Sequence, residues 1–109
     1  MSRTISPADL QQLMASRKSI LVLDVRRRTD YEADAQKLPG AAWLDPEKLM
    51  QWSTALPLDR EIVIYCVRGG TVSNSVVDQL QGKGIKARFI EGGIEAWKTA
   101  GGQVVAKGK

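Results

Sequence analysis

The run Ile62-Val63-Ile64-Tyr65 sets four apolar residues in succession, three of them β-branched, with no polar residue between them. A strand covered on one face alternates polar and apolar residues, so a continuous apolar run calls for cover on both faces. Such a strand directs the chain toward a parallel α/β sheet with helices packed above and below. The run ends at Cys66, the only cysteine in 109 residues, and Val67-Arg68-Gly69-Gly70-Thr71-Val72-Ser73 follows. The polar stretch beginning at Thr71 reads as the start of a helix.

The remainder of the chain repeats this alternation. Ser6-Pro7 is an N-cap and first-turn signature, with Leu10, Leu13 and Met14 at helical spacing behind it. Ile20-Leu21-Val22-Leu23 is a second continuous apolar strand, which places Asp24-Val25-Arg26 at the carboxyl edge of the sheet, the edge that carries Cys66 if the two strands are parallel. A short helical or irregular passage is expected from Tyr31, then a turn at Leu38-Pro39-Gly40 and a short strand in Ala41-Ala42-Trp43-Leu44. Asp45-Pro46 opens a helix carrying Leu49, Met50 and Trp52. Beyond Cys66, Val72, Val76, Val77 and Leu80 give the next helix an apolar face, and Gly82 or Gly84 stops it. A strand over 87–90, the turn Glu91-Gly92-Gly93, and a helix with Ile94 and Trp97 ending at Gly101-Gly102 complete the pattern. The tail, residues 103–109, is expected to form a weak strand and then fray. The fold expected is therefore α/β, a four- to five-stranded parallel sheet with right-handed crossovers and helices on both faces. At this length, residues 1–109 are expected to form one domain.

Composition narrows the chemistry. One cysteine excludes a disulfide framework, a CxxC redox pair and a cysteine zinc site, and it leaves Cys66 with no resolving thiol in the chain. No metal or cofactor is expected. The 16 basic and 12 acidic residues are interspersed, giving a net charge of +4 without a basic stripe or interleaved aromatics, so no nucleic-acid partner is expected. No apolar run approaches the length of a membrane span and no signal-peptide core is visible, so the expectation is a cytoplasmic protein without a membrane partner.

A strand that ends in a cysteine, two glycines and a helix start makes a turn whose backbone N–H groups can converge on an anion, assisted by the positive end of the helix. Gly69 and Gly70 can take the positive φ angles that aim consecutive amides inward. A helix terminus supplies about 0.3–1 kcal/mol, up to about 2 when partly buried, which amounts to about one pKa unit. A free thiol titrates near about 8.5, so a reactive one also needs direct amide hydrogen bonds or a neighbouring cation such as Arg68. The chain has no histidine, so activation of a nucleophilic Cys66 has to be electrostatic. Two readings stand on these features alone: a reactive thiol, or a small apolar residue at the inner end of a strand. Asp24 either accepts hydrogen bonds from the active loop or satisfies its own turn. Arg26 is open between a basic rim and a solvated face, and Arg27 and Arg28 read as a solvated face near Asp30, Glu32 and Asp34. Trp43 and Trp52 are expected in the core rather than around a pocket.

Three segments in order resemble a single-domain rhodanese (sulfurtransferase): Leu23-Asp24-Val25-Arg26 with Asp30-Tyr31 and Leu38-Pro39-Gly40-Ala41; Ile64-Tyr65-Cys66-Val67-Arg68-Gly69-Gly70-Thr71; and Glu91-Gly92-Gly93-Ile94-Glu95-Ala96-Trp97 with Ala100-Gly101. The resemblance implies a five-stranded parallel sheet and a cysteine that takes a sulfane sulfur from a donor such as thiosulfate and passes it to a thiophilic acceptor: cyanide, a thiol or a thiol-bearing protein. Cys66 matches the persulfide cysteine, and Val67, Arg68, Gly69, Gly70 and Thr71 match the substrate-binding loop, with Arg68 and Thr71 at its basic and hydroxyl positions. Asp24 and Arg26 match the supporting pair beside it. The chain departs from the family where Lys37 replaces a common histidine and where Thr71 replaces a common arginine.

The leading expectation is a thiosulfate-type sulfurtransferase working through a Cys66 persulfide. A non-catalytic or redox-sensing module that binds an anion or persulfide is the alternative. Phosphatase or arsenate reductase chemistry is disfavoured, because Val72 stands where a phosphoryl-binding arginine belongs.

Overall fold

The computed structural model describes residues 3–16 and 20–107. The elements run β1 (Thr4–Ile5), α1 (Pro7–Ala15), β2 (Ile20–Asp24), α2 (Arg28–Ala33), β3 (Gln36–Lys37), β4 (Ala42–Trp43), α3 (Leu49–Trp52, with a 3-10 turn on either side), β5 (Glu61–Tyr65), α4 (Thr71–Gly82), β6 (Lys86–Ile90), α5 (Gly93–Thr99) and β7 (Val105–Ala106). Five strands form one sheet in the order β1-β6-β5-β2-β4, every pair parallel. No helix among the described residues is long and apolar enough to cross a membrane.

The apolar run in β5 does what continuous apolarity requires. Its side chains point alternately to opposite faces, so Ile62 and Ile64 pack with Val76, Val77 and Leu80 of α4, while Val63 and Tyr65 pack with Leu10 of α1 and Ile94 and Trp97 of α5. The four side chains from Ile62 to Tyr65 are fully buried. Strand β5 is central, and its register with β2 runs from Ile20 opposite Glu61 to Asp24 opposite Tyr65. The Val25 N–H extends this ladder to the Tyr65 carbonyl at 2.9 Å. The two strands therefore end level, and the segments that follow Asp24 and Tyr65 lie together at the carboxyl edge of the sheet.

Local signals account for most element ends. The Ser6 hydroxyl accepts the Asp9 N–H at 3.1 Å with Pro7 in the first turn of α1. The short helical or irregular passage expected from Tyr31 is helix α2, which begins three residues earlier. The Trp43 indole donates to the Arg26 carbonyl at 2.8 Å and its ring stacks on Tyr31 at 4.8 Å, whereas the Trp52 indole donates to the Asp45 carbonyl at 2.7 Å. The weak strand expected after Gln103 is β7, which pairs antiparallel with β3, and Lys107 continues it with its N–H on the Ala35 carbonyl at 2.8 Å. The Lys107 ammonium also lies over the Tyr31 ring and donates to the Tyr31 carbonyl. The end of the expected frayed segment, residues 108–109, lies outside the described residues.

One guanidinium is buried inside this frame. Arg26 and Asp24 have side-chain exposures of 1% and 0%, with Nη2 of Arg26 2.7 Å from Oδ2 of Asp24. Nε of Arg26 reaches both Asp24 oxygens at 3.0 Å, Nη1 reaches Asp34 Oδ2 at 3.0 Å, and Nη2 also donates to the Gln36 carbonyl at 3.1 Å. The rings of Tyr31 and Tyr65 lie 5.4 and 5.6 Å from the guanidinium carbon. Burial works against the charge on Arg26, but the Asp24 carboxylate outweighs it and holds the group protonated. Burial by itself would raise Asp34, yet Lys98, the Gln36 amide and Arg26 hold its carboxyl below the usual range. Burial, reinforced by Asp24, keeps the Tyr65 phenol protonated.

Removing one partner of a fully buried pair leaves the other charge uncompensated, at a cost of about 3–5 kcal/mol. Asp24→Ala is therefore expected to lose about that much stability in urea denaturation. A loss below about 1 kcal/mol would show that Arg26 finds its counterion elsewhere.

Candidate active site

Cys66 follows the last residue of β5, is 6% exposed, and stands at the wall of an open cleft of about 390 Å³. Val67, Arg68, Gly70, Thr71 and Val72 line the same cleft, joined from the neighbouring strand end by Arg27 and Asp30. Of the residues singled out in the sequence, Cys66, Val67, Arg68, Gly70 and Thr71 are thus brought to one place. Gly69 turns away from the cleft, where an added Cβ would stand 3.0 Å from both the Gly92 nitrogen and the Ile90 carbonyl. Its φ is +69°, as a glycine turn there requires, whereas Gly70 sits at −93° and does not use the positive region expected of it.

Asp24 and Arg26 do not line the cleft. Asp24 accepts the Arg26 N–H at 3.0 Å as well as its guanidinium, so it satisfies its own turn, and no N–H of the Cys66 loop is bound to it. Arg27 lines the cleft for a reason that the sequence contains. Asp24 and Arg26, two residues apart, turn to the same inner side of an extended segment, which sends Arg27 the other way. Arg27 remains exposed, as a solvated face demands, but the solvent it meets is that of the cleft. Trp43 and Trp52 do not line the cleft.

The orientation of the loop is set from α5. Its first turn donates N–H of Ile94 to the Cys66 carbonyl at 3.0 Å and N–H of Glu95 to the Val67 carbonyl at 3.1 Å. In a trans peptide the C=O and the following N–H point in opposite directions. The N–H groups of Val67 and Arg68 are therefore turned away from α5. Among the described residues, none of the N–H groups of residues 67–73 donates to an oxygen of the chain. Gly70 caps α4 without a side chain, so the first-turn amides of that helix are unused as well. Free amides and a helix N-terminus beside a sulfur atom favour negative charge there. Gly92 and Gly93 make the approach of α5 possible, at φ of +76° and +65°. A Cβ on Gly93 would stand 2.4 Å from the Val67 oxygen and 2.5 Å from the Cys66 oxygen.

Two further contacts define the site. Ser73, fully buried in the first turn of α4, donates its hydroxyl to Cys66 Sγ at 2.9 Å. No local pattern signals this contact, since a serine three residues into a helix ordinarily caps or back-bonds to its own turn. Arg68 is 79% exposed and leans to Glu95 on α5, Nε to Oε2 3.2 Å, leaving its two terminal nitrogens without an ion-pair partner among the described residues. At that exposure the pair contributes little to stability.

Residues 6–100 match the family described as the rhodanese-like domain, and the chain belongs to that family. It is 31% identical to a sulfurtransferase of Allochromatium vinosum over 97% of each chain. A tRNA sulfurtransferase of Desulfurococcus amylolyticus is 37% identical over 79 residues, which make up 72% of this chain and only 15% of that protein. In three dimensions it resembles a rhodanese-related protein of Thermoplasma volcanium with a TM-score of 0.84 at 26% identity, covering 97% of this chain and all of that one.

The close approach of α5 separates two kinds of glycine. Gly40 and Gly93 both have positive φ, so alanine at either carries a backbone penalty of about 1–2 kcal/mol, but a Cβ on Gly40 meets nothing within 4 Å. Gly93→Ala is expected to lose more stability than Gly40→Ala in urea denaturation, by about 1–3 kcal/mol. Equal losses would contradict the packing of α5 against the Cys66 and Val67 carbonyls.

Proposed function

We propose that this protein is a sulfurtransferase that carries a sulfane sulfur on Cys66. The observation that carries the reading is a lone thiol in an open cleft, flanked by the unused N–H groups of residues 67–73. In the first half-reaction the Cys66 thiolate attacks the outer sulfur of thiosulfate. The new S–S bond forms as the old one breaks, and its electron pair leaves with sulfite. In this reading Arg68, Arg27 and Thr71, which line the cleft, meet the sulfonate oxygens, and the free amides take the negative charge of the terminal persulfide sulfur as an oxyanion hole does. In the second half-reaction cyanide, a thiolate or a cysteine of a protein acceptor attacks that terminal sulfur and the electron pair returns to Cys66.

With no second cysteine and no histidine in the chain, discharge by an external acceptor and activation without an imidazole are built into this scheme. It requires no metal or cofactor. A second cleft of about 210 Å³ beside α4 shares Arg27, Thr71 and Val72 with the first. Phosphoryl transfer is the weaker reading, because the cleft wall at Val72 is aliphatic where a bidentate cation would be needed.

Incubation with thiosulfate, gel filtration and intact-mass measurement test the proposal. Wild type is expected to gain one sulfur atom, which cyanide then removes, and Cys66→Ser to gain none. No gain on wild type with thiosulfate or any other sulfane donor would favour a module that binds an anion without turnover. An equal gain on Cys66→Ser would remove Cys66 from the chemistry.

A further inference from the structure

The sulfur of Cys66 and the amides around it are served by different groups. Among the described residues the one hydrogen bond to Sγ comes from the Ser73 hydroxyl at 2.9 Å, while the N–H groups of residues 67–73 are unused. The Ser73 side chain is fully buried at the start of α4, and its hydroxyl goes to the sulfur in place of a carbonyl of the preceding turn. A hydroxyl donates one proton, and here its acceptor is the atom that gains and loses charge in every step of the proposed reaction.

We propose that Ser73 is a catalytic residue that acts on the inner sulfur, stabilising Cys66 Sγ as the leaving group when the persulfide is discharged. The inference rests on the sulfur-transfer reading and adds a division of labour to it. The amides hold the terminal sulfur, and Ser73 holds the sulfur to which it is bonded. In discharge the acceptor's lone pair forms a bond to the terminal sulfur, the bond between the terminal sulfur and Sγ breaks, and its electron pair goes to Sγ. The Ser73 proton stays on oxygen and strengthens its hydrogen bond as Sγ becomes a thiolate. A less basic leaving thiolate departs faster, whereas an attacking thiolate becomes less nucleophilic as it becomes less basic. Ser73 therefore affects the two half-reactions with opposite signs once Cys66 is ionised. A serine that merely filled space would alter both in the same direction.

The test uses full-length wild type, Ser73→Ala and Ser73→Thr in single-turnover experiments. Alanine removes one oxygen and is a good helix former, and threonine restores the hydroxyl. A hydrogen bond to a charged group is lost in Ser73→Ala, so the pH midpoint of Cys66 alkylation by iodoacetamide is expected to rise by about one unit or more. Above that midpoint, cyanide is expected to discharge the Ser73→Ala persulfide about three- to tenfold more slowly than wild type, with its loading by thiosulfate unchanged or faster. Ser73→Thr is expected to restore both the midpoint and the discharge rate. An unmoved midpoint together with unchanged discharge, or equal slowing of loading and discharge, would overturn the assignment. If wild type takes up no sulfur, the transfer reading fails by itself. The alkylation profile, which needs no sulfur donor, then decides the Ser73–Sγ interaction alone: a raised midpoint in Ser73→Ala supports it and an unmoved one overturns it.

Discussion

Two backbone hydrogen bonds hold the site open. The N–H groups of Ile94 and Glu95 take the carbonyls of Cys66 and Val67, and because a peptide's two dipoles point in opposite directions, the amides on the far side are turned away from the protein's own acceptors. An anion cradle needs its donors unpaired, yet a folded chain ordinarily pairs nearly all its buried amides. Drawing the carbonyls into α5 resolves the conflict, since the loop is anchored through its acceptors while its donors stay unpaired. The two adjacent glycines at 92 and 93 are what let α5 come close enough.

Beneath this lies a second constraint, the burial of the Arg26 charge. Its guanidinium ties β2 through Asp24 to the excursion that contains α2 and β3, through Asp34 and the Gln36 carbonyl. Asp34 is held in turn by Lys98 of α5 at 2.9 Å. The same helix that orients the Cys66 loop thus also pins the segment that brings Arg27 and Asp30 to the cleft. Sheet, loop and cleft wall are coupled through α5, although α5 contributes no side chain to the chemistry proposed for Cys66.

Where burial is two-sided the sequence was easy to read. Strands β2 and β5 show as apolar runs, α1 announces its cap at Ser6, and the place of Cys66 at the carboxyl edge follows from the parallel order. Strands β1 and β3 are two residues long, too short for any period, and each exists because a distant partner is present, β6 for one and β7 for the other. The exposure of Arg27 was legible but its place at the cleft was not, because a run of three arginines near three acids looks the same whether it faces bulk water or a cleft. Two contacts escaped notice for a different reason. Gly93 and Ser73 act on atoms 26 and 7 positions away, Val67 O and Cys66 Sγ, and no local pattern records such a contact. The two-glycine turn was visible as a helix start, but what it makes room for is a tertiary matter.

If Cys66 carries a sulfane sulfur, the unpaired amides of residues 67–73 take up its negative charge. The most direct measurement is the backbone amide NMR spectrum of the isotope-labelled protein before and after thiosulfate is added. The resonances of residues 67–73 are expected to move together as Cys66 gains its sulfur atom, with little change at β1 on the far edge of the sheet. Addition of sulfur to Cys66 with those resonances unmoved would contradict this.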